Sequence, residues 1–300
     1  MATTRSVAVT GATGLVGAAL VPALRAQGWT VLTVGRDARA NVCWNPATSA
    51  LDAHALNGVE AIIHLAGSPI GERWTPPRRR AILESRVQGT ALIAHAACAL
   101  PVPPRVLVSA SAIGVYGDRG DEILSETSAA GAGYLASVCE AWEGAATVAR
   151  AAGIRVVHPR LGIVLSETGG ALAKLLVPFR LGAGGPAGGG RQWMSWISLT
   201  DTVRALSAVL DDDGMSGAVN VVAPSPVTNA EFSQTLGRVL HRPAILPLPA
   251  FALELAFGEM ARETLLASQR VQPSRLAAAG FKFEHASLDA ALRAELRLVP

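Results

Sequence analysis

Short apolar runs alternate with longer amphipathic stretches through the first two thirds of the chain. Runs of valine, isoleucine and leucine that end in glycine or polar residues are typical of strands buried on both faces, and the stretches between them have the length of helices. The predicted strands lie at 7–9, 29–34, 60–65, 105–109, 154–158 and 218–222. This alternation predicts right-handed βαβ units, and therefore an α/β fold with a doubly wound parallel (Rossmann) sheet.

Helices are predicted between these strands and throughout the last third of the chain. They lie at 18–24, 78–97, 134–153, 171–181, 198–210, 228–240 and 251–260. Thr200–Asp201 has the character of an N-cap for the fifth of these helices, and Thr228 for the sixth. Residues 159–162, Pro-Arg-Leu-Gly, are expected to form the turn that leaves the fifth strand.

Three glycines follow the first predicted strand at a spacing of three residues, in the sequence TGATGLVG. The first permits a tight turn, the second lets a diphosphate approach the main chain, and the third lets the next helix pack closely on the strand. Strand, glycine turn and helix in this order favour a dinucleotide site over a purely structural turn. The predicted contacts are Gly11, Thr13, Gly14, Leu15, Val16 and Gly17.

The end of the second predicted strand indicates which dinucleotide binds. An acid there hydrogen-bonds the 2′-hydroxyl of the adenosine ribose, whereas an arginine accommodates a 2′-phosphate. Arg36 stands first after the strand and Asp37 second. NADP(H) is therefore favoured over NAD(H), although an acid one place later keeps NAD(H) as the alternative.

Later strand ends supply further candidates at the same edge of the sheet. Ala66 and Gly67 are small enough at the strand end for the main chain to pass beneath the cofactor, so Leu65, Ala66 and Gly67 are predicted cofactor contacts. His64 is read as a hydrogen-bonded core histidine rather than a catalyst. Ser111 follows the fourth strand, where a hydroxyl can polarise a substrate carbonyl, but serine is equally an ordinary loop residue.

Composition narrows the possible partners. The 300 residues are 50% hydrophobic and 16% charged, with a net charge of +3 and a pI of about 9.0. Arginines are spread along the chain, and the run at 78–80 reads as a solvated helix face, so no nucleic-acid partner is expected. No apolar segment is long enough to cross a membrane and no signal sequence is visible. Three cysteines without paired spacing indicate neither a disulfide framework nor a zinc site, which favours the cytoplasm, with no metal expected.

The composition changes after residue 165. The segment 182–190, GAGGPAGGG, is predicted to be either a mobile linker or a loop that closely approaches a ligand, and Trp193 and Trp196 beyond it are read as a pocket wall in preference to core. Residues 1–165 are predicted to form the dinucleotide-binding domain, to which 196–223 return. Residues 166–195 and 224–300 are predicted to form a smaller α/β substrate lobe above the carboxyl edge of the sheet.

Several motifs in this order resemble the extended class of the short-chain dehydrogenase/reductase superfamily, which includes sugar-nucleotide epimerases and dehydratases. They are TGATGLVG, HLAG, SASAIGVYG, a helix that begins with a tyrosine, and PRLG. The segments ESRVQGT, VLSETGGAL and LGAGGPAGGGRQWMSWISLTD resemble, more narrowly, an atypical branch of NAD(P)-dependent epimerase-family proteins. Members of that branch carry a C-terminal segment of unassigned function, which the tail from 247 to 283 resembles.

The chain departs from the superfamily pattern at one catalytic position. The superfamily pairs a tyrosine with a lysine four residues later, which holds the nicotinamide ribose and lowers the pKa of the tyrosine. Tyr134 matches the tyrosine, but Val138 stands in place of the lysine. Arg86 or Arg160 could supply the missing positive charge from elsewhere, and Arg160 is equally read as a packing or ribose-contacting residue.

The resemblance implies an NADP(H)-dependent oxidoreductase or epimerase of a small molecule such as a nucleotide sugar, acting as a monomer or homodimer. Ser111 and Tyr134 are the implied catalytic residues. The further cofactor contacts it implies are Arg86, Ser109, Pro159, Arg160 and Gly162. Two alternatives stay open, namely a regulatory protein that senses NADP(H) without turnover and a redox-independent isomerase or dehydratase with tightly held cofactor.

Overall fold

The computed structural model describes residues 5–298, which form fifteen strands and ten helices. The strands are β1 (Ser6–Thr10), β2 (Thr30–Gly35), β3 (Val42–Asn45), β4 (Ala50–Leu51), β5 (Ala61–His64), β6 (Val106–Ser109), β7 (Ser111–Ala112), β8 (Ile123–Leu124), β9 (Arg155–Leu161), β10 (Ile163–Leu165), β11 (Trp193–Met194), β12 (Trp196–Ser198), β13 (Gly217–Val221), β14 (Val227–Thr228) and β15 (Arg270–Val271). The helices are α1 (Leu15–Ala26), α2 (Pro76–Ala99), α3 (Tyr134–Gly144), α4 (Thr147–Ala151), α5 (Gly170–Arg180), α6 (Leu199–Asp211), α7 (Asn229–Val239), α8 (Ala250–Phe257), α9 (Ser274–Ala278) and α10 (Leu288–Glu295). A π-helical turn covers Ala261–Leu265.

The main sheet confirms the predicted doubly wound architecture. Its strand order is β13-β9-β6-β5-β1-β2-β3-β4, with β7 paired to β9, and its pairs are parallel except for β3 with β4. The direction of winding reverses at β1, which lies between β5 and β2. Ligands of such sheets bind at the carboxyl ends of the strands beside this reversal.

Side-chain alternation along β1 explains why this strand is apolar on both faces. Val7 and Val9 are buried in one core with Leu20 of α1 and Leu206 of α6. Ala8 is buried in a second core, which includes helices α2 and α4. Because each face of the strand meets a different helical layer, neither face tolerates polar residues.

Several predicted element boundaries are wrong. The fifth strand does not end at residue 158 but runs on to Leu161, so Pro159 and Arg160 lie inside β9 and not in a turn. β6 pairs with β9 up to Val157, and β7 resumes the pairing at Arg160. Pro159 stands in this gap, where its missing N–H costs no hydrogen bond on that side.

Two helix predictions also change. The predicted helix over 134–153 breaks after Gly144 into α3 and α4. The N-cap of α6 is Ser198, whose hydroxyl accepts from the N–H of Asp201, and not Thr200–Asp201. Thr228 caps α7 as predicted and forms a capping box with Glu231. The region of 41–57, for which the sequence made no prediction, contains β3 and β4.

A third core joins α5, α7, α10 and β12 outside the main sheet. Its members include Leu172, Phe179, Trp196, Phe232 and Leu292. Trp196 is fully buried there and donates from Nε1 to the carbonyl of Ser225, so its prediction as a pocket wall is wrong. Burial of this surface gives the second half of the chain its own hydrophobic centre.

The glycine-rich segment packs against the chain itself. A Cβ at Gly184 would lie 2.5 Å from the Phe179 ring, and one at Gly185 would lie 2.1 Å from the carbonyl oxygen of Leu246. Glycine is therefore needed at both positions for close packing. Farther along, Leu276, Phe281 and Phe283 pack on the core beneath α6, so part of the C-terminal region lies against the main sheet.

None of the helices within residues 5–298 combines the length and the hydropathy that crossing a membrane requires.

Candidate functional site

A groove of about 780 Å³ lies beside the glycine turn, at the carboxyl ends of β1, β2 and β5. Of the predicted cofactor residues, Gly11, Thr13, Gly14, Arg36, Leu65, Ala66 and Gly67 line it. Gly11 has φ of +66°, and a Cβ there would lie 2.8 Å from the carbonyl carbon of Leu65. A side chain at this position would therefore close the floor of the groove.

Helix α1 presents its N-terminus to this groove. Gly14 is its N-cap and provides no side-chain cap, and the first turn contains no acidic residue. Within residues 5–298, the N–H groups of Leu15 and Val16 have no main-chain acceptor. Free N–H donors and the positive end of the helix dipole make such a terminus suitable for a phosphate.

A buried pair of side chains, Thr10 and His64, supports the main chain that forms the floor of the groove. The hydroxyl of Thr10 accepts from the N–H groups of Leu65 and Ala66, at 3.1 and 3.3 Å, and lies 2.7 Å from Nδ1 of His64. Burial lowers the pKa of His64 to about 4, so the ring is neutral. His64 is thus a hydrogen-bonded core residue, as predicted, and Thr10 is a supporting residue that the sequence did not reveal.

The adenosine end of the groove carries three arginines and one acid. Arg25, Arg36, Asp37 and Arg39 all line it. Asp37 accepts from Arg39 through both carboxylate oxygens, at 3.1 Å from Nε and 2.7 Å from Nη2, and these hydrogen bonds lower its pKa to about 2. Its charge is therefore matched by Arg39, whereas Arg25 and Arg36 form no ion pair within the described residues. The excess positive charge suits a 2′-phosphate.

The other predicted cofactor residues lie outside the lining of this groove. A Cβ at Gly17 would lie 2.2 Å from the carbonyl oxygen of Gly11, so this glycine permits the helix to approach the turn. Gly162 has a comparable packing role, since a Cβ there would lie 2.6 Å from the carbonyl oxygen of Ser195. Ser109 is fully buried, and its hydroxyl has no partner within residues 5–298.

The second part of the candidate site, here called the rim, contains the predicted catalytic residues Ser111 and Tyr134, and in it Ser111, Glu143 and Arg160 form one network. The Ser111 hydroxyl donates to Glu143 at 2.7 Å, and Arg160 donates to both oxygens of that carboxylate at 2.8 and 2.9 Å. Burial alone would raise the pKa of Glu143, but these hydrogen bonds outweigh burial and lower it. Arg160 also donates to Tyr116, which donates to Asn220. Ser111 and Arg160 therefore both form hydrogen bonds with other side chains of the protein.

Tyr134 stands at the first position of α3, and its hydroxyl donates to the main-chain carbonyl of Arg79. Its ring packs edge-on against Trp74, with the guanidinium of Arg79 4.2 Å from the ring centre. Burial raises the pKa of Tyr134, and the charges of Arg79 and Arg86 offset only part of that rise. The phenol is a proton donor at neutral pH, and its proton is directed at a protein carbonyl.

Val138 lies in an apolar seam where the superfamily pattern has a lysine. It is 1% exposed and packs with Trp74, Ile82, Leu135 and Met260. An ammonium group in this seam would lose its hydration without gaining a partner. The seam therefore explains why the position is apolar in this chain.

The C-terminal region holds this rim in place. Glu263, in the π-helical turn, accepts from the N–H groups of Tyr134 and Leu135 at 2.8 and 2.7 Å. It thereby caps α3, whose own N-cap, Gly133, has no side chain. Glu259 pairs with Arg79 at 2.8 Å in the same region. No spacing rule could have predicted Glu263, because it lies 129 residues from the helix that it caps.

Arg86, on α2, is the remaining predicted site residue. Its guanidinium lies over Gly67, where a Cβ would be 3.4 Å from Cζ, and 4.9 Å from the ring centre of Trp142. Nη1 donates to the carbonyls of Ser68 and Ile82, both at 3.1 Å. The structure thus brings Arg86 beside the groove floor and separates it from the Glu143–Arg160 pair.

Comparisons with known proteins agree with this architecture. The model of the NAD dependent epimerase/dehydratase family matches residues 7–222, and that of a domain of unknown function (DUF1731) matches residues 248–295. An epimerase family protein of Mycobacterium bovis is 44% identical over 290 residues, which cover 95% of this chain and 96% of that protein.

Solved structures extend the agreement to three dimensions. A crystal structure of the human epimerase family protein SDR39U1 with NADPH matches with a TM-score of 0.91 and 34% identity, covering 98% of this chain and 100% of that one. UDP-glucose 4-epimerase of Thermus thermophilus, in complex with NAD, matches with a TM-score of 0.76 and 18% identity, over 99% of this chain and 100% of that one. At that identity the second match shows the shared fold alone.

Proposed function

The chain belongs to the NAD dependent epimerase/dehydratase family, and we propose that it is an oxidoreductase that binds NADPH in the groove beside the glycine turn. The bound cofactor would exchange a hydride with a substrate carbon that bears a hydroxyl or carbonyl group. A small molecule such as a nucleotide sugar is the proposed substrate, on the family resemblance alone.

The proposal depends on one observation: helix α1, whose first turn has free main-chain N–H donors, begins at Gly14 in the lining of the groove, and Arg25 and Arg36 in the same lining form no ion pair within residues 5–298. The N–H groups of Leu15 and Val16 suit the diphosphate, and Arg25 and Arg36 suit the 2′-phosphate. Asp37 is held by Arg39, so it offers no free carboxylate to a ribose 2′-hydroxyl. The NADPH in the crystal structure of the human relative supports the same assignment.

Binding of NADPH and NADH to purified Arg36→Ala tests the cofactor assignment. A charge-assisted hydrogen bond contributes about 1.5–3 kcal/mol, so the variant should bind NADPH roughly 10- to 100-fold more weakly. Its affinity for NADH should change by less than about twofold, because NADH has no 2′-phosphate. Arg191→Ala, at an exposed arginine outside the groove lining, is the matched control. An Arg36→Ala protein with an unchanged preference for NADPH would refute the assignment.

A second candidate function is a regulatory protein that binds NADP(H) with little turnover. Three features of the rim favour it: the Ser111 hydroxyl is held by Glu143, the Tyr134 hydroxyl by a main-chain carbonyl, and Val138 is apolar. A panel of carbonyl substrates incubated with protein and NADPH separates the two functions. Oxidation of NADPH that depends on a substrate supports the oxidoreductase, whereas tight binding without oxidation supports the regulator.

A further inference from the structure

Arg86 lacks the anionic partner that three other arginines with inward side chains have. Arg105 and Arg155 face Asp213, and Arg160 faces Glu143, with N–O distances of 2.7, 3.4 and 2.8 Å. Arg86 forms no ion pair within residues 5–298, and its only hydrogen bonds there are the two that Nη1 donates to carbonyls. A partly buried guanidinium without an anion is costly in free energy, because it loses hydration that no opposite charge replaces.

The groups around Arg86 do not compensate its charge. Burial lowers the pKa of Arg86, and the ionisable groups whose charges oppose this shift are Cys139 and Tyr134. Burial raises the pKa of Cys139 to about 11 and also raises that of Tyr134, so both are neutral at pH near 7. Neither group therefore supplies a negative charge to Arg86, and the carboxylates near the start of α3 have other partners: Glu259 pairs with Arg79, and Glu263 accepts from the N–H groups of Tyr134 and Leu135.

One edge of the guanidinium remains available for a ligand. Nε and Nη2 make no hydrogen bond within the described residues, and neither atom is completely buried. These two N–H groups are parallel donors whose spacing matches the two oxygens of a carboxylate or phosphate. Nη1 and the Trp142 ring fix the plane of the group, which reduces the entropy lost when an anion binds.

We infer that Arg86 is the receptor for an oxyanion, a phosphate or carboxylate carried by a ligand, which it binds through Nε and Nη2. The inference extends the proposed function, since the oxyanion belongs either to the cofactor diphosphate or to an acidic group of the substrate. In both cases Arg86 supplies a positive charge at the rim, where Val138 cannot. Arg160 cannot take this part, because Glu143 engages it on two atoms.

Calorimetric titration of wild type, Arg86→Gln and Arg86→Lys tests the inference, with Arg80→Gln on the exposed face of α2 as the matched control. Each protein is titrated with NADPH and then, at saturating NADPH, with inorganic phosphate. If the substrate supplies the oxyanion, phosphate binds the wild-type complex and binds Arg86→Gln at least about tenfold more weakly, with unchanged NADPH affinity. If the cofactor supplies it, Arg86→Gln binds NADPH at least about tenfold more weakly.

Equal affinities of wild type and Arg86→Gln for both NADPH and phosphate would overturn the inference. Should Arg86→Gln fail to fold, Arg86→Lys decides, because a single ammonium loses the paired donors and should bind the same anion several-fold more weakly, and an unchanged affinity again overturns the inference. A wild-type protein that binds no NADPH would instead refute the proposed function. In that case, titration of the cofactor-free wild type and Arg86→Gln with phosphate would still compare their affinities for an oxyanion, and equal affinities would overturn the inference.

Discussion

The two ends of the candidate site are built in different ways. The phosphate end consists of main-chain N–H groups and glycines, with Arg25 and Arg36 beside them, and neither arginine forms an ion pair within the part of the chain that the structure describes. The rim end consists of side chains that already bond one another, as Ser111 does with Glu143 and Tyr134 with the carbonyl of Arg79. The phosphate end therefore has hydrogen-bond donors that are free to bind a ligand. At the rim end most hydrogen-bond donors already bind other protein groups, and Arg86 is the exception.

This difference indicates that the phosphate end and the rim end have different hydrogen-bonding requirements. Unsatisfied donors cost little where water reaches them, as at the partly exposed Leu15 and Val16. Buried polar groups need hydrogen-bond partners, so the polar side chains of the rim form hydrogen bonds with other protein groups. The following substitutions test the contrast from the largest expected effect to the smallest.

Gly17→Ala should abolish NADPH binding at the phosphate end. Its Cβ would lie 2.2 Å from the carbonyl oxygen of Gly11 and 2.8 Å from Cα of Ala12, and both are main-chain atoms that cannot move without opening the turn. NADPH affinity, measured by calorimetry, should fall by at least about 100-fold. Gly144→Ala is the control, because a Cβ there meets no atom within 4 Å. Retained NADPH affinity in Gly17→Ala would show that the turn does not hold the cofactor.

Glu143→Gln should destabilise the rim and leave the phosphate end intact. Arg160 would keep its charge, with a side chain only 11% exposed, and the loss should reach about 3 kcal/mol in the free energy of unfolding, measured with urea. NADPH affinity should change by less than about threefold, since neither residue lines the groove.

The pH dependence of that loss has a definite sign. Because the folded pKa of Glu143 is lowered, its contribution to stability is present above the unfolded pKa and is lost as the pH falls through the folded value. The difference between wild type and Glu143→Gln should therefore stay constant above about pH 5 and shrink as the pH falls below about 4.3. A difference that stays constant down to about pH 3 would contradict the ion pair as its source.

Tyr134→Phe should have the smallest effect. The hydroxyl makes one hydrogen bond to a helical carbonyl, so its loss should cost about 1 kcal/mol in thermal or urea unfolding, with NADPH affinity unchanged. Tyr116→Phe is the comparison, because its fully buried hydroxyl bonds both Asn220 and Arg160 and should cost more. A tenfold loss of NADPH affinity in Tyr134→Phe would place this phenol on the cofactor and erase the contrast between the two ends.

Much of the fold could be predicted because its causes are local. An apolar strand followed by glycines at fixed spacing specifies a turn, and Thr228 caps its helix three residues from Glu231. For the same reason the positive charge at the adenosine end could be predicted, since Arg36 follows β2 directly. The boundary errors at Pro159 and Gly144 arose where neighbouring strands and helices, rather than the segment's own residues, decide whether an element continues.

The sequence by itself determined the parallel sheet, the glycine turn and the positive charge at the adenosine end, because each depends on residues close together in the chain. Only the tertiary structure decided that Arg160 is paired and Arg86 is not, since Glu143 lies 17 residues from Arg160, and no carboxylate forms an ion pair with Arg86 within residues 5–298. It also decided that Glu263 caps α3 across 129 residues. Electrostatic partners are chosen by distance in space, and that distance is set only when the elements pack.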